Sequence, residues 1–254
     1  MSHTITIRQQ TIGEGAPKIC VPLVGGTHAE LTEEATFLTS LDVDLVEWRV
    51  DFFEMAEDIE KVKSVLIDLR EILGDMPLIF TFRSAKEGGE RELSSGSYSA
   101  LNTAMIKTRL IDIVDIELFN EEQTVKSLIH IAQENGVYVI LSNHDFKKTP
   151  TKTEMIGRLK KAQELGGDIP KIAVMPKNAG DVLTLLEATN EMKERYANRP
   201  IITMSMAGAG VISRLTGELF GSAITFGAAK KASAPGQIDI HELRSILNVI
   251  HKNL

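Results

Sequence analysis

Short apolar runs and longer amphipathic stretches alternate along this chain. The apolar runs predict eight β-strands, at residues 18–24, 44–51, 77–83, 112–118, 138–144, 169–175, 200–206 and 222–228. Between them apolar residues recur at helical spacing, and the clearest helical stretches are 58–73, 124–136 and 181–196. Strands that alternate with helices predict a parallel sheet whose two faces are covered by helices.

Eight such strand–helix units predict a closed barrel. A (βα)8 barrel has about 250 residues, and this chain has 254. An open doubly wound sheet is the alternative, but "VGGTHAE" after the first strand lacks the glycine spacing of a dinucleotide-binding turn. We therefore predict an α/β protein with one (βα)8 barrel domain, the TIM barrel, over residues 1–254. The N-terminal pieces "TITI" and "TIGEG" predict a short β-hairpin that caps the barrel bottom. A last helix is predicted from Ile240, after Asp239 as N-cap.

The composition limits which classes of partner and which cellular compartment we expect for this protein. The formal net charge of −7 disfavours a nucleic-acid or membrane-surface partner. No apolar run has the roughly 18 residues of a membrane span, and "MSHTITIRQQ" lacks the features of a signal peptide. The single cysteine, Cys20, excludes an internal disulfide and is typical of a reducing compartment. We expect a cytoplasmic protein that binds neither nucleic acid nor membrane.

Charged residues interrupt predicted strands that should be apolar on both faces. Because side chains alternate across a strand, several of these residues point to the same side, the inside of the barrel. They are Glu47, Arg49, Asp51, Arg83, Asp115, Glu117, Ser142 and His144. Most lie near the carboxyl ends of the strands, where βα barrels have their active sites. One buried charge indicates a structural ion pair, whereas charges from four strands favour a polar pocket.

Lys171 lies inside the apolar run "IPKIAVM". A buried ammonium group without a partner is costly. Its position early in the strand is compatible with a structural lysine whose head group extends to water. If the side chain points inward, burial and cations such as Arg49 or Arg83 would favour the uncharged amine that forms an imine with a ketone or aldehyde. The residues alone leave both alternatives open.

His144, in "SNHDF", lies where the fifth strand meets its loop. An imidazole has an ordinary pKa near 6.5, which suits a group that takes and returns a proton, although a structural histidine is the alternative. With one histidine at this rim and no Cys/His cluster, a zinc site is not expected. Arg49 and Arg83 stand among the carboxylates and argue against magnesium.

Two loops rich in small residues follow the last two strands. "MAGAGVISR" (206–214) opens a helix, so its amides could hold an anion and Arg214 could clamp a carboxylate or phosphate. A tight turn with a surface arginine is the alternative. "GAAKKASAPGQID" (227–239) predicts a lid that offers Ser233 and Gln237 as hydrogen-bonding groups. A merely flexible loop has the same composition.

Seven segments together resemble the type I 3-dehydroquinate dehydratases. They are "EWRVD", "FTFRSAKEGGE", "SNHDF", "IPKIA", "ITMSM", "GVISR" and "KKASAPGQI", in order over nearly the whole chain. The resemblance implies a (βα)8 barrel, usually a homodimer, in the shikimate pathway of aromatic amino acid biosynthesis. It implies a lyase that converts 3-dehydroquinate to 3-dehydroshikimate through a lysine imine, without metal or cofactor.

The same resemblance implies roles for individual residues. Lys171 would form the imine, His144 would be the general acid/base and Glu87 would assist it. The implied substrate-binding residues are Glu47, Arg49, Arg83, Arg214, Ser233 and Gln237, and Arg214 would pair with the substrate carboxylate. The family often has a serine where this chain has Pro22, so no contact is inferred there. The alternative functions are a Schiff-base aldolase on the same barrel and a non-catalytic barrel that binds sugar acids.

Overall fold

The computed structural model describes residues 4–229 and 236–254. In these ranges the strands are β1 (Ile5–Ile7), β2 (Gln10–Ile12), β3 (Lys18–Leu23), β4 (Leu45–Arg49), β5 (Leu78–Thr81), β6 (Ile113–Glu117), β7 (Tyr138–Asp145), β8 (Ile169–Val174), β9 (Ile202–Ser205) and β10 (Ile224–Phe226). The helices are α1 (His28–Leu38), α2 (Ile59–Leu73), α3 (Ser95–Thr108), α4 (Glu122–Glu134), α5 (Lys152–Glu164), α6 (Ala179–Arg195), α7 (Val211–Leu215), α8 (Gly217–Phe220) and α9 (Ile240–His251).

Eight parallel strands form the barrel, in the order β10-β3-β4-β5-β6-β7-β8-β9. Between β9 and β10 the barrel closes through a parallel bridge of Ile201 with Ser222. The Ser222 hydroxyl accepts the Thr203 N–H and donates to the Thr203 carbonyl, so a side chain replaces part of the backbone ladder. The predicted (βα)8 barrel is confirmed.

Helix starts follow local side-chain chemistry. Asp58 accepts the first amides of α2, and Asp239 does the same for α9, as its sequence indicated. The reciprocal capping box, however, lies at α1, where Thr27 and Glu30 each accept the other's backbone N–H. None of the helices in the described ranges is long and apolar enough to cross a bilayer.

The seventh strand–helix unit departs from the predicted pattern. In place of one long helix, the chain makes a 3-10 turn at Gly208–Gly210 followed by the short helices α7 and α8. A Cβ on Gly210 would lie 2.2 Å from the Ser205 carbonyl oxygen, and one on Gly217 would lie 2.5 Å from that of Ser222. Close backbone contact with the barrel therefore shapes this segment, which includes Arg214 on α7.

The hairpin of β1 and β2 closes the amino-terminal end of the barrel. Ile7 and Ile12 are buried among the isoleucines that fill the barrel interior, such as Ile113 and Ile169. Arg8, in the hairpin turn, pairs with Asp112 before β6. The predicted cap is confirmed. Because this end is sealed by apolar packing, the polar inward residues lie above it.

Candidate active site

Asp115 is the centre of the polar cluster inside the barrel. Lys171 Nζ donates to its Oδ2 at 2.9 Å, and Arg83 Nη2 lies 2.8 Å from its Oδ1. Ser142 also donates to Oδ1. Burial by itself would raise the pKa of Asp115, but Arg83 and Lys171 outweigh it and hold the pKa well below its ordinary value. A fully buried carboxylate is therefore ionised between two cations.

Lys171 lies on β8 with its head group inside the barrel, 5% exposed, and does not extend to solvent. Besides Asp115, its Nζ lies 3.7 Å from Glu47 Oε1 and 4.7 Å from the centre of the Phe226 ring. Thr81 Oγ1 donates to the same Glu47 oxygen and holds it in place. The groups that contact Nζ are thus carboxylates and a ring, where the sequence suggested arginines as neighbours.

The two arginines are fixed by acidic partners of their own. Arg49 Nε and Nη2 bind both oxygens of Asp51 at 2.8 and 2.7 Å. Arg83 Nη1 donates to Glu117 and to Ser142, each at 3.0 Å. Burial would lower the pKa of Arg83, but the surrounding carboxylates raise it well above its ordinary value. Both guanidinium groups are therefore held in fixed positions, and that of Arg83 is a permanent charge.

His144 and Glu87 form a second unit at the carboxyl ends of the strands. Glu87 belongs to the 3-10 turn Ala85–Glu87 after β5, and its Oε2 lies 2.9 Å from both the backbone N and Nδ1 of His144. The two glycines that follow permit the turn: Gly88 has φ of +85°, and a Cβ on Gly89 would lie 1.8 Å from the Arg83 carbonyl oxygen.

The electrostatics of this pair favour a neutral imidazole. Burial, followed by Arg83 and Lys171, lowers the pKa of His144 well below its ordinary value. Burial raises the pKa of Glu87 to about 7, and Glu117 adds to this effect. Because Glu87 Oε2 already accepts the backbone N–H of His144, we assign the ring hydrogen to Nδ1. The other ring nitrogen, Nε2, then carries a lone pair that can accept a proton.

Arg214 lies on α7 and is buried, with 1% of its surface exposed. Its Nη1 lies 3.4 Å from the Phe226 carbonyl oxygen and 3.9 Å from Met204 Sδ. Burial lowers its pKa to about 10, so the group is still charged at neutral pH. Helix α7 has only five residues, which leaves this guanidinium, rather than a long helix terminus, as the main positive group of the segment.

One cavity at the carboxyl ends of the strands brings these groups together. Its charged and polar lining residues are Glu47, Arg49, Arg83, Glu87, His144, Lys171, Arg214 and Gln237. All eight were predicted from the sequence as site residues. The ninth predicted site residue, Ser233, lies outside the described residues. Pro22 lines a separate crevice with Ala229.

Other parts of the site escaped sequence reasoning. Asp115 was recognised only as an inward charge, although it binds both Lys171 and Arg83. The apolar wall of the cavity was missed, because apolar residues on a strand have the same pattern whether they face a core or a ligand. Its members are Phe146, Ala173, Met204, Met206 and Phe226.

A larger cavity, of about 520 Å³, lies at the amino-terminal end of the barrel. Glu14, Lys193, Arg199 and Glu218 line it. Unlike the cavity at the carboxyl ends, it holds no buried lysine or histidine from the barrel strands. Size alone would therefore select the amino-terminal end of the barrel, whereas the chemistry of the lining residues favours the cavity at the carboxyl ends.

The fold and the site together define a class of enzyme: a (βα)8 barrel with a buried lysine beside a histidine–carboxylate pair. The chain belongs to the family described as Type I 3-dehydroquinase, whose sequence model matches residues 19–254. It is 59% identical over 254 residues to the 3-dehydroquinate dehydratase of Bacillus licheniformis, covering all of both chains. It is 61% identical over 251 residues to that of Clostridium novyi, covering 99% of each.

Solved structures give the same result. The structure of the type I 3-dehydroquinate dehydratase from Clostridium difficile with covalent modified comenic acid is similar over all of both chains, with 54% identity and a TM-score of 0.98. The enzyme from Enterococcus faecalis shows 46% identity and a TM-score of 0.91, over 96% of this chain and 98% of that one. The family resemblance is thereby confirmed.

Proposed function

We propose that this chain dehydrates 3-dehydroquinate to 3-dehydroshikimate, as a hydro-lyase of the shikimate pathway that works through an imine on Lys171. The observation that carries the proposal is that Lys171 and His144 line the same cavity. Family membership and the names of the full-length relatives support the substrate. The Clostridium difficile relative is described with covalent modified comenic acid, which supports a covalent mode of action.

In the first step, Lys171 Nζ loses a proton and attacks the C3 ketone of the substrate, and the released proton returns to the oxygen of the adduct. That oxygen leaves as water and gives an iminium ion, whose positive charge lies where the ammonium charge was. Asp115 at 2.9 Å and Glu47 at 3.7 Å then stabilise that charge without moving. The buried carboxylates thus support covalent chemistry by stabilising the iminium.

In the second step, His144 removes a proton from C2, and the iminium accepts the electron pair to become an enamine. The enamine expels the C1 hydroxyl, which leaves as water with the proton that His144 returns. A water molecule hydrolyses the product iminium and restores Lys171, so the net change is the loss of one water. Proton transfer of this kind supplies about 10²–10⁴-fold in rate, and Glu87 orients the ring through Nδ1.

Binding of the substrate carboxylate is assigned to Arg214, because its guanidinium is buried, charged and part of the cavity lining. Glu47, Arg49 and Arg83 would contact the hydroxyl groups from the opposite side. Gln237, which lines the cavity, and Ser233 would close over the ligand as parts of a lid.

Several further properties are proposed on the resemblance and on composition. We expect a homodimer in the cytoplasm, with no nucleic-acid or membrane partner. We also expect one domain over residues 1–254 and a reaction that needs no metal or cofactor.

Borohydride reduction in the presence of 3-dehydroquinate tests the proposal. Reduction of the imine should attach the ligand at Lys171, as mapped by peptide mass, while the absorbance of a conjugated enone reports turnover. Lys171→Met should abolish both signals. Lys148→Met, which removes an exposed lysine, is the matched control and should keep both. An unmodified Lys171 in an enzyme that turns over would contradict the covalent mechanism.

The same assay separates the alternative functions. A Schiff-base aldolase would be trapped by borohydride with its own substrate but would cleave a carbon–carbon bond and form no enone from 3-dehydroquinate. A non-catalytic barrel would bind the ligand without turnover. Neither alternative has an observation of its own in its favour.

A further inference from the structure

Asn143 is a polar residue on the outward face of a barrel strand. It lies on β7 between Ser142 and His144, and it is only 4% exposed. A buried amide on the layer between strands and helices is costly unless both of its ends are hydrogen-bonded. Its Nδ2 donates to Glu87 Oε1 at 3.2 Å, and its Oδ1 accepts from Arg158 Nη1 at 2.6 Å. Asn143 therefore connects Glu87 to a helix outside the barrel.

Arg158, on α5, is held by groups from three elements. Glu154 accepts its Nη2 from the preceding helical turn, and Asp145 Oδ2 lies 3.6 Å from its Nη1. The Phe119 ring, after β6, lies 5.4 Å below the guanidinium carbon. Arg158 is therefore oriented before it binds Asn143, and the amide group of Asn143 has only one favourable orientation.

The contact of Asn143 determines how Glu87 can use its second oxygen. Glu87 Oε2 is occupied by His144, through the backbone N–H and Nδ1. A carboxylate bound by one oxygen can rotate about its last bond, whereas binding of Oε1 as well fixes the plane of the group. That plane sets the direction of the hydrogen bond to Nδ1, and so the direction of Nε2.

The protonation of Glu87 is sensitive to each donor around it. Three charged or titratable groups face it. Arg83, in the loop after β5, has its Nη1 3.6 Å from Glu87 Oε2, and the other two are Glu117 on β6 and His144 on β7. Burial and Glu117 raise the pKa of Glu87 to about 7, against the opposing effects of Arg83, the Asn143 amide and the His144 backbone N–H. Near neutral pH, loss of one donor therefore changes the ionised fraction.

We propose that Asn143 and Arg158 are positioning residues, which fix the orientation of the Glu87 carboxylate through its Oε1 so that His144 presents Nε2 to the substrate. The proposal rests on the proposed function, in which His144 carries the proton. Neither residue touches the substrate; both act through Glu87. The chain of contacts runs from Phe119 at the protein surface through Arg158, Asn143 and Glu87 to His144.

The test compares Asn143→Leu and Arg158→Met with the wild type. In both variants we expect kcat to fall by about tenfold, as for the loss of a hydrogen bond to a charged group, with little change in KM. The acid limb of the kcat/KM profile should move to higher pH, because Glu87 becomes harder to ionise. With substrate deuterated at C2 the isotope effect should increase, while borohydride trapping at Lys171 is retained.

Two further variants separate positioning from general stability. Lys160→Met removes a cation from the same helix, one that contacts Tyr196 and not Asn143, and it should leave the pH profile unchanged. Arg158→Lys keeps the charge and should restore part of kcat. Arg158 is partly exposed, so Arg158→Met carries the test if Asn143→Leu does not fold.

The outcomes are distinct. If the acid limb of the variants is the same as that of the wild type, the positioning role is wrong, whether or not kcat falls. A decrease in kcat without a shift of that limb would come from a general loss of structure. A wild type that neither dehydrates 3-dehydroquinate nor is trapped by borohydride would refute the proposed function instead. If the wild type does both and the variants have the same kcat and the same acid limb as the wild type, only the inference about Asn143 and Arg158 is wrong.

Discussion

Replacement of Asp115 by Asn probes the charge balance of the barrel interior. The amide keeps the shape of the side chain but removes the negative charge that faces Arg83 and Lys171 at 2.8 and 2.9 Å. Glu117 still faces Arg83, but the nearest remaining carboxylate of Lys171 is Glu47, at 3.7 Å. Breaking a buried ion pair from one side costs about 3–5 kcal/mol. We expect the free energy of unfolding to fall by about that amount.

Thermal and urea unfolding at pH 7 measure the effect. For a chain of this size, about 3–5 kcal/mol corresponds to a decrease in Tm of roughly 6–20 °C. The pKa of Asp115 is lowered in the folded protein, so its contribution is present above the unfolded pKa and is lost as pH falls through the folded one. The difference between variant and wild type should therefore be constant from pH 5 to 7 and shrink in stronger acid.

The matched control is Asp75→Asn, which removes a carboxylate that is 77% exposed and pairs with Arg8. We expect less than about 1 kcal/mol there. In a Lys171→Met background, Asp115→Asn should cost less than in the wild type, because one of the two cations is already absent. An Asp115→Asn protein that unfolds within about 1 kcal/mol of the wild type at pH 7 would refute the reasoning, and an additive double variant would refute the pairing with Lys171.

Three further predictions concern single residues. The pKa of Glu87 is about 7 in the folded protein against an ordinary 4.5, so the wild type loses stability as pH rises through 7. Relative to the wild type, Glu87→Gln should therefore have a higher free energy of unfolding at pH 8 than at pH 4, by at most about 3 kcal/mol. Equal urea midpoints for variant and wild type at both pH values would contradict this. Ala207 has φ of 57° and ψ of 179°, a region for glycine, so Ala207→Gly should raise Tm by roughly 2–4 °C in calorimetry, and a lower Tm would be the contrary result. Arg214→Met should lower kcat/KM by about 100-fold through loss of a charged hydrogen bond to the substrate, and an unchanged KM would remove the carboxylate assignment.

Patterns that depend on neighbouring residues were sufficient for the architecture. The alternation of apolar runs with helical stretches predicted the barrel, and a two-residue period placed Glu47 and Arg49 on its inner side. The start of α9 at Ile240 followed from its capping residue, Asp239. Strand ends did not follow from the same patterns: the run 222–228 forms only the three residues of β10. Backbone pairing with β3, rather than hydrophobicity, determines where this strand ends.

The seventh unit shows the limit of periodicity. Its sequence predicted a helix that opens at the glycine loop, but the chain forms a turn and two short helices there. The reason is the contact between Gly210 and the Ser205 carbonyl, which depends on how closely the segment approaches the barrel. A strained backbone at Ala207 accompanies that approach.

By itself, the sequence determined the barrel, the inward side of each strand and the residues that carry the family motifs, because these follow from local period and residue type. Only the tertiary structure decided which charges meet. Lys171 binds Asp115 from 56 positions away, and Glu87 binds His144 from 57. Periodicity specifies the face of a strand but not the partner across the barrel, since that partner is determined by strand register and barrel closure. The charge on each group at the site depends on those partners and on burial.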